Sequence, residues 1–295
     1  MSDIVAAPPV DPNPYARGDE RWLNAEAGRL QDMDAFFEPF THEDLGPVIA
    51  MQKGEHPEGV SLLDIAAATS TTTEAMCDEA GVTYYALDID PGMLAQRKTP
   101  PGRTIISPSQ AMDTVGSETF DVTYSRAATG WSSAPRDSIA EQLRVTRDGG
   151  VAVFSEFDWS TAGADIRTQA GKAVSGAKAI LQIALVEQGF RPEYGKLQLA
   201  KDIDAVAAAQ RLAYVREETV HVMPVADYRA FMLNMTGQLL EGLSLFEKGM
   251  AVTMRHDLAE YIGEIEAADE LEFTLPNVVT QTIQIMGRTP DPFVD

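Results

Sequence analysis

At 295 residues and 44% hydrophobic content, the chain can hold one large α/β domain with an insertion or a small cap, which excludes a disorder-dominated protein. A net charge of −22 opposes phosphate backbones and anionic membrane surfaces, so the expected partner is a small molecule, neutral or cationic, and neither nucleic acid nor a membrane. A single cysteine, Cys77, and four scattered histidines exclude an internal disulfide and give no metal-ligand spacing; with no basic start ahead of an apolar run, and no stretch of about 18 apolar residues, the expected location is the cytoplasm.

In chain order, residues 1–16 are rich in Pro, Ala and Asp and suit an extended arm. From Glu20 to Met51 the spacing of Trp22, Leu23, Leu30, Met33, Phe36 and Phe37 predicts helices ahead of the first strand. The run Ser61-Leu62-Leu63-Asp64-Ile65 reads as a buried strand entering the turn Ala66-Ala67-Ala68-Thr69-Ser70, and a helix starts at Thr71-Thr72-Thr73, whose hydroxyls could cap it. A second strand, Tyr84 to Asp88, ends in an acid. Strands three and four are expected at Arg103–Ile106 and Asp121–Ser125, a helix at Arg136–Leu143, and strand five at Val151–Phe157 after a Gly149-Gly150 turn. This alternation predicts a doubly wound, mostly parallel sheet with right-handed crossovers. Helices follow at Asp165–Glu187 and Lys196–Gln210, then a strand-like run from Ala213 to Met223. An amphipathic helix carries Tyr228, Phe231, Met232, Met235, Leu239, Leu243 and Phe246 on one face, and a further helix spans His256–Ala268. With the last strand at Asn277–Met286, this helix pair is inserted between strands six and seven and could lid the sheet. The expected division is 1–57 arm and N-terminal helices, 58–160 cofactor-binding core, 161–224 completion of the core, 225–270 helical cap and 271–295 last strand and tail.

The chemistry concentrates at the ends of the first two strands. An acid ending strand two, Asp88, can accept two hydrogen bonds from a ribose diol, while the turn after strand one offers backbone N–H groups at a helix start. An adenosine-bearing cofactor is the expected ligand. Leu62 to Ser70, Asp88-Ile89-Asp90-Pro91-Gly92-Met93-Leu94, Phe120 to Arg126 and Leu143 to Phe154 together resemble the class I S-adenosylmethionine-dependent methyltransferases of the small-molecule type, over roughly residues 58 to 160. The resemblance implies a seven-stranded Rossmann-like methyltransferase fold with N-terminal helices over the site, S-adenosylmethionine as cofactor, and methyl transfer to an O, N or C nucleophile of a small molecule. It leaves a homodimer open. One departure stands out: where the family has three loop glycines, this chain has Ala66, Ala68 and Ser70. Ala66 and Ser70 are expected in ordinary turn geometry, and Ala68 is the one expected to crowd the cofactor. A methyltransferase-like protein acting as a cyclase or a non-catalytic partner is therefore the alternative reading.

The implied cofactor-binding residues are Asp64, Ala66, Ala68, Ser70, Asp88, Ile89, Met93 and Ser125, with Ser109 or Gln110 serving where the family places an Asp against the adenine amino group. Asp64 could equally brace the loop, and Ile89 and Met93 could equally be plain core. At the ends of strands four and five, Arg126, Trp131, Glu156, Asp158 and Trp159 face the expected crevice. Glu156 and Asp158 are the candidate catalytic acids, able to take a proton from an acceptor within hydrogen-bond reach. Arg126, Trp131, Trp159, Tyr194 and Tyr228 are the candidate substrate contacts. None of the histidines belongs to a motif, and with no Gly-x-Ser-x-Gly elbow a Ser-His-Asp hydrolase is disfavoured.

Overall fold

The computed structural model describes residues 20–158, 163–164, 168–187, 191, 194, 196–222, 232–233, 235–237, 250–267, 273–274 and 277–289. The chain enters through one helix, α1 (Glu20–Glu55), of 36 residues. Pro39 and Pro47 lie inside it without ending it. An interior proline costs a helix roughly 3 kcal/mol, and here burial of Phe37, Phe40, Leu45, Val48 and Ile49 offsets that cost.

Then come β1 (Ser61–Ile65), α2 (Thr72–Ala80), β2 (Thr83–Asp88), the single turn α3 (Pro91–Leu94), β3 (Thr104–Ile106), β4 (Phe120–Arg126), α4 (Pro135–Val145) and β5 (Thr146–Asp158). The C-terminal part adds α5 (Gln169–Glu187), α6 (Lys196–Ala209), β6 (Leu212–Val222), α7 (Met250–Ala267) and β7 (Asn277–Arg288). Seven strands form one sheet in the order β3-β2-β1-β4-β5-β7-β6. Its first five members are parallel, while β7 runs antiparallel to both β5 and β6. The doubly wound, mostly parallel seven-stranded sheet expected from the sequence is thus present. Two-residue strands at Gly163–Ala164 and Phe273–Thr274 pair as a separate ribbon.

The strand composition explains the layering. Successive residues alternate between faces, and strands covered on both sides are apolar throughout. Leu62, Val122, Tyr124, Val151 and Val153 pack with Leu45, Val48 and Ile49 of α1 and Met76 and Cys77 of α2. Leu63, Ile65, Leu87 and Phe120 pack on the opposite face with Met112 and Val145. One expectation needs correcting: β5 starts at Thr146, directly from the end of α4, and the glycine pair lies inside it instead of ahead of it. Gly149 has φ +79°, and a Cβ on Gly150 would lie 2.8 Å from the Asp121 carbonyl oxygen, where the β4–β5 register shifts. Those two glycines let β5 pass the bulge unbroken.

Most of the expected amphipathic helix from Tyr228 to Phe246 lies outside the described residues. Met232 and Met235 are described and buried, joining Phe37 and Phe40 of α1, Phe157 of β5, Val174 of α5 and Leu258 of α7 in one apolar cluster. Among the described residues no helix is long and apolar enough to cross a membrane.

Candidate active site

A cavity opens at the carboxyl ends of β1, β2, β4 and β5, roofed by α1 and Met235. This is where the strand order reverses direction, the expected ligand crevice of an open α/β sheet. On the β1–β2 side it is bounded by Ala66, Ala67, Ala68 and Ser70, with Asp64, Asp88 and Ile89. Ala66 and Ala68 hold left-handed backbone, φ 55° and 44°. Ala68 thus occupies a position that favours glycine, as expected. Ala66 does too, which corrects the expectation of an ordinary turn there: the chain leaves β1 through a positive-φ residue while Ala67 N still bonds the Leu87 carbonyl of β2. Each left-handed alanine costs about 1–2 kcal/mol, which its neighbours must offset.

Asp88 is 6% exposed and spreads two backbone bonds over both oxygens: Oδ2 accepts from Ala68 N (2.9 Å) and Oδ1 from Asp90 N (2.9 Å). Burial pushes its carboxyl up to about 6, against the pull of those N–H groups. Asp90 caps α3, its Oδ1 accepting from Gly92 N at 2.6 Å and Met93 N at 3.2 Å. Asp64 accepts from the Tyr84 hydroxyl at 2.7 Å, and its carboxyl is raised by burial in spite of nearby Arg97. It is thus tied to β2 and faces the cavity. At the β3 end, Ser109 shares a hydrogen bond with Ser138 (2.9 Å), and the Gln110 amide is steadied by Ser133 (3.2 Å) and Ser132 (3.4 Å). Both Ser109 and Gln110 line the cavity.

The β4–β5 side differs in character. Its walls are Leu30, Met33 and Phe37 from α1, with Trp131, Phe157 and Met235. Among these apolar groups stands Glu156, 3% exposed, whose Oε1 accepts from Ala128 N (3.1 Å) and Thr129 N (2.7 Å). Those N–H groups converge because Ala127, at φ 48°, turns the chain sharply out of β4. Burial raises the Glu156 carboxyl to about 7, although the Thr129 and Ala128 bonds favour its ionised form. Such a carboxyl changes protonation near neutral pH, as a general base must.

Sequence reading missed Asp34, one residue past Met33 on α1. Its Oδ1 accepts from Ser70 Oγ and from Arg126 Nη2 (2.7 Å), and its Oδ2 from Thr71 N (2.8 Å) and Thr72 N (3.0 Å). The α2 N-terminus is therefore capped from another helix; Thr71 makes no side-chain cap bond, contrary to the expected hydroxyl cap. Burial alone would raise the Asp34 carboxyl, but Arg126, Ser70 and Thr71 together leave it below its ordinary value. Arg126 also donates to Thr41 Oγ1 (2.9 Å) and to Ser70 Oγ (2.9 Å), and its guanidinium lies 5.1 Å from the Phe37 ring centroid. It lines the cavity, yet its hydrogen bonds go to α1 and the loop. A lone Asp in a helix carries no sequence signal for such a role.

The other expected residues divide. Trp131 lines the cavity. Met93 is a fully buried residue of α3 and Ser125 sits inside the sheet beside Ile65 and Phe154; neither is among the cavity-lining residues. Asp158 is likewise absent from the lining and interacts with Lys178 of α5. Tyr194 donates to Asp202 and packs with Ile139 and Leu199, away from the cavity. Trp159 and Tyr228 lie outside the described residues.

Residues 63–154 match the model of a methyltransferase domain family. Over 107 residues the chain is 36% identical to demethylmenaquinone methyltransferase of Renibacterium salmoninarum, a stretch covering 36% of this chain and 44% of that enzyme. The chain thus spans less than half the length of that curated relative. Among solved structures, a methyltransferase candidate from an antibiotic biosynthesis pathway of Anabaena variabilis is similar at a TM-score of 0.52 and 17% identity, over 80% of this chain and 97% of that one. Phosphoethanolamine N-methyltransferase 2 of Haemonchus contortus is similar at a TM-score of 0.48 and 11% identity, over 77% of this chain and 48% of that one. Residues 63–154 thus match a methyltransferase domain, and the sheet that holds them has the Rossmann-like methyltransferase fold.

Proposed function

We propose that the protein uses S-adenosylmethionine to methylate a small, largely apolar acceptor in the cavity at the carboxyl edge of the sheet. The observation that carries this reading is the placement of two differently held acids on one cavity: Asp88 beside the Ala66–Ser70 loop, and Glu156 among apolar side chains. The donor set fits the cofactor. Asp88 retains acceptor capacity for a ribose diol, since each carboxylate oxygen accepts more than one bond; Ile89 offers an apolar face, and Ser109 and Gln110 offer polar groups for a base edge. When bound, S-adenosylmethionine supplies an electrophilic sulfonium methyl group.

What the chain itself does is position, exclude water and manage one proton. Leu30, Met33, Phe37, Trp131, Phe157 and Met235 select an apolar acceptor and keep water from competing with it. Glu156, tied to the main chain through Oε1, takes the proton that the acceptor nucleophile gives up. Methylation is favoured over the cyclase or silent-partner alternative by the methyltransferase-domain match and by an intact pair of acids.

The test is titration calorimetry with S-adenosylmethionine and S-adenosylhomocysteine, followed by transfer of labelled methyl to neutral aromatic acceptors. Demethylmenaquinone, named in the R. salmoninarum relative, belongs in that panel. Binding of both ligands with label transfer to an apolar acceptor supports the reading; a folded protein that binds neither ligand would overturn it.

A further inference from the structure

The loop Ala66–Ser70 holds two left-handed positions without glycine, Ala66 at φ 55° and Ala68 at φ 44°. Something other than backbone freedom must keep it there, and a fully buried guanidinium lies behind it. Arg97, just beyond α3, is not among the cavity-lining residues, whereas Ala66, Ala67 and Ala68 are. Its Nη1 donates to the carbonyl of Ala67 at 2.7 Å and reaches that of Ala68 at 3.4 Å. Its Nη2 donates to the Tyr84 hydroxyl, which in turn donates to Asp64 Oδ2 at 2.7 Å.

Two carboxylates fix the guanidinium in turn. Asp64 Oδ2 and Glu74 Oε2 each lie 3.9 Å from Nη2, and Thr99 Oγ1 orients Glu74 by donating to its other oxygen at 2.8 Å. From the opposite side the loop N–H groups are drawn to β2: Ala67 N bonds the Leu87 carbonyl at 3.0 Å and Ala68 N bonds Asp88 Oδ2 at 2.9 Å. The Ala67–Ala68 peptide is therefore gripped on both sides, its carbonyl by Arg97 and its N–H by Asp88, and the peptide units before and after it are each held on one side. A guanidinium spreads its donors over two nitrogens in a fixed plane, here Nη1 to the carbonyls and Nη2 to the phenol, whereas an ammonium brings all its donors to one point.

We propose that Arg97 is the positioning residue of the cofactor site, holding the alanine loop from outside in the shape that glycine would allow from within. The proposal rests on the cofactor reading above. It implies that Arg97 and the loop alanines are coupled: losing the grip harms cofactor binding only so long as the loop lacks glycine.

The experiment compares S-adenosylhomocysteine affinity and thermal midpoint for wild type, Arg97→Lys, and Arg97→Lys carrying Ala66→Gly and Ala68→Gly. Arg97→Lys is expected to weaken binding about tenfold or more, as loss of charge-assisted hydrogen bonds does. The two glycines are expected to restore most of the affinity while the thermal midpoint stays depressed, because Asp64 and Glu74 still lack their guanidinium. Unchanged affinity in Arg97→Lys, or a loss that the glycines do not repair, overturns the proposal. Should Arg97→Lys fail to fold, Tyr84→Phe removes one partner of the fork; a loss of about threefold, repaired by the same glycines, is then expected, and no loss or no repair overturns the idea. If wild type binds neither S-adenosylmethionine nor S-adenosylhomocysteine, the cofactor reading falls separately. The grip is then read from amide exchange at Ala67 and Ala68, expected about tenfold or more faster in Arg97→Lys, or in Tyr84→Phe if that is the variant that folds; equal protection overturns it.

Discussion

Asp88 and Glu156 stand at the carboxyl ends of parallel strands, β2 and β5, line the same cavity, and each accept two backbone N–H bonds. Burial lifts both carboxyls, to about 6 and about 7. They differ in how they are held. Asp88 gives one oxygen to each N–H, so its carboxylate is fixed in plane and orientation beside a polar loop. Glu156 takes both backbone bonds on Oε1 and a further side-chain bond from Thr129, and it shares the cavity with Phe157, Trp131 and Leu30, Met33 and Phe37 of α1. A carboxylate held by the main chain at both oxygens suits binding, whereas one held by the main chain at a single oxygen beside apolar walls suits proton transfer. Two acids whose surroundings set them apart are how one cavity divides these tasks.

The sharpest way to break this comparison is to remove each acid in turn. Glu156→Gln keeps the shape and an oxygen to accept the Ala128 and Thr129 N–H bonds but cannot take a proton; kcat should fall by about 10²–10⁴ with little change in S-adenosylhomocysteine affinity. An equal loss in affinity would show that Glu156 builds the binding site. Asp88→Ala should do the reverse, weakening cofactor binding by about 1–3 kcal/mol, read by calorimetry. Unchanged affinity in that variant would sink the ribose assignment.

Acidity sharpens the same contrast without mutation. Cofactor affinity should weaken as pH falls through about 6, where Asp88 takes a proton and loses acceptor capacity, while turnover should already fall below about 7 as Glu156 is protonated. Between those values a saturated but slow enzyme is expected. Stability should move the opposite way. Both carboxyls are raised in the folded protein, so the stability they contribute is complete below their unfolded values, near 4, and is lost as pH rises through about 6 and 7. His221, raised chiefly by its 2.6 Å bond to Asp44, has the same sign, since its folded value also exceeds its unfolded one. The ligand-free protein should therefore melt higher at pH 5.5 than at pH 8, and Glu156→Gln should flatten that slope. A midpoint that rises with pH over this range would contradict the assignment.

The legible parts of the molecule were those in which a local pattern fixes the structure. The strand-turn-helix runs around Leu62 and Asp88 carry both their burial and their chemistry in consecutive residues, and the sheet order follows from such units through short crossovers. Glu156 was legible as a cavity residue because it lies near the carboxyl end of an apolar strand. Asp34 was not, because its significance comes from Ser70, Thr71, Thr72 and Arg126, 36 to 92 residues away in sequence. Asp158 and Tyr194 look like site residues by position, but Asp158 interacts with Lys178 of α5 and Tyr194 packs with Ile139 of α4 and Leu199 of α6. Arg97 gave no signal in sequence, being a basic residue after a short helix. Its role exists only because the loop carbonyls of Ala67 and Ala68 fold back toward it.

The smallest expected effect tests the loop on the Asp88 side of the comparison. Because Ala66 and Ala68 hold left-handed backbone, replacing either by glycine removes a steric cost present in free and bound protein alike. Each change should then stabilise the fold by about 1 kcal/mol, less the extra entropy glycine gives the unfolded chain. For a chain of this length that corresponds to a rise in thermal midpoint of roughly 2–3 °C. Affinity should stay nearly constant while Arg97 remains, because the loop already has its bound shape. A large gain in affinity from Ala68→Gly alone would mean instead that the methyl group crowds the ligand, and the loop would then be an obstacle that the cofactor side tolerates.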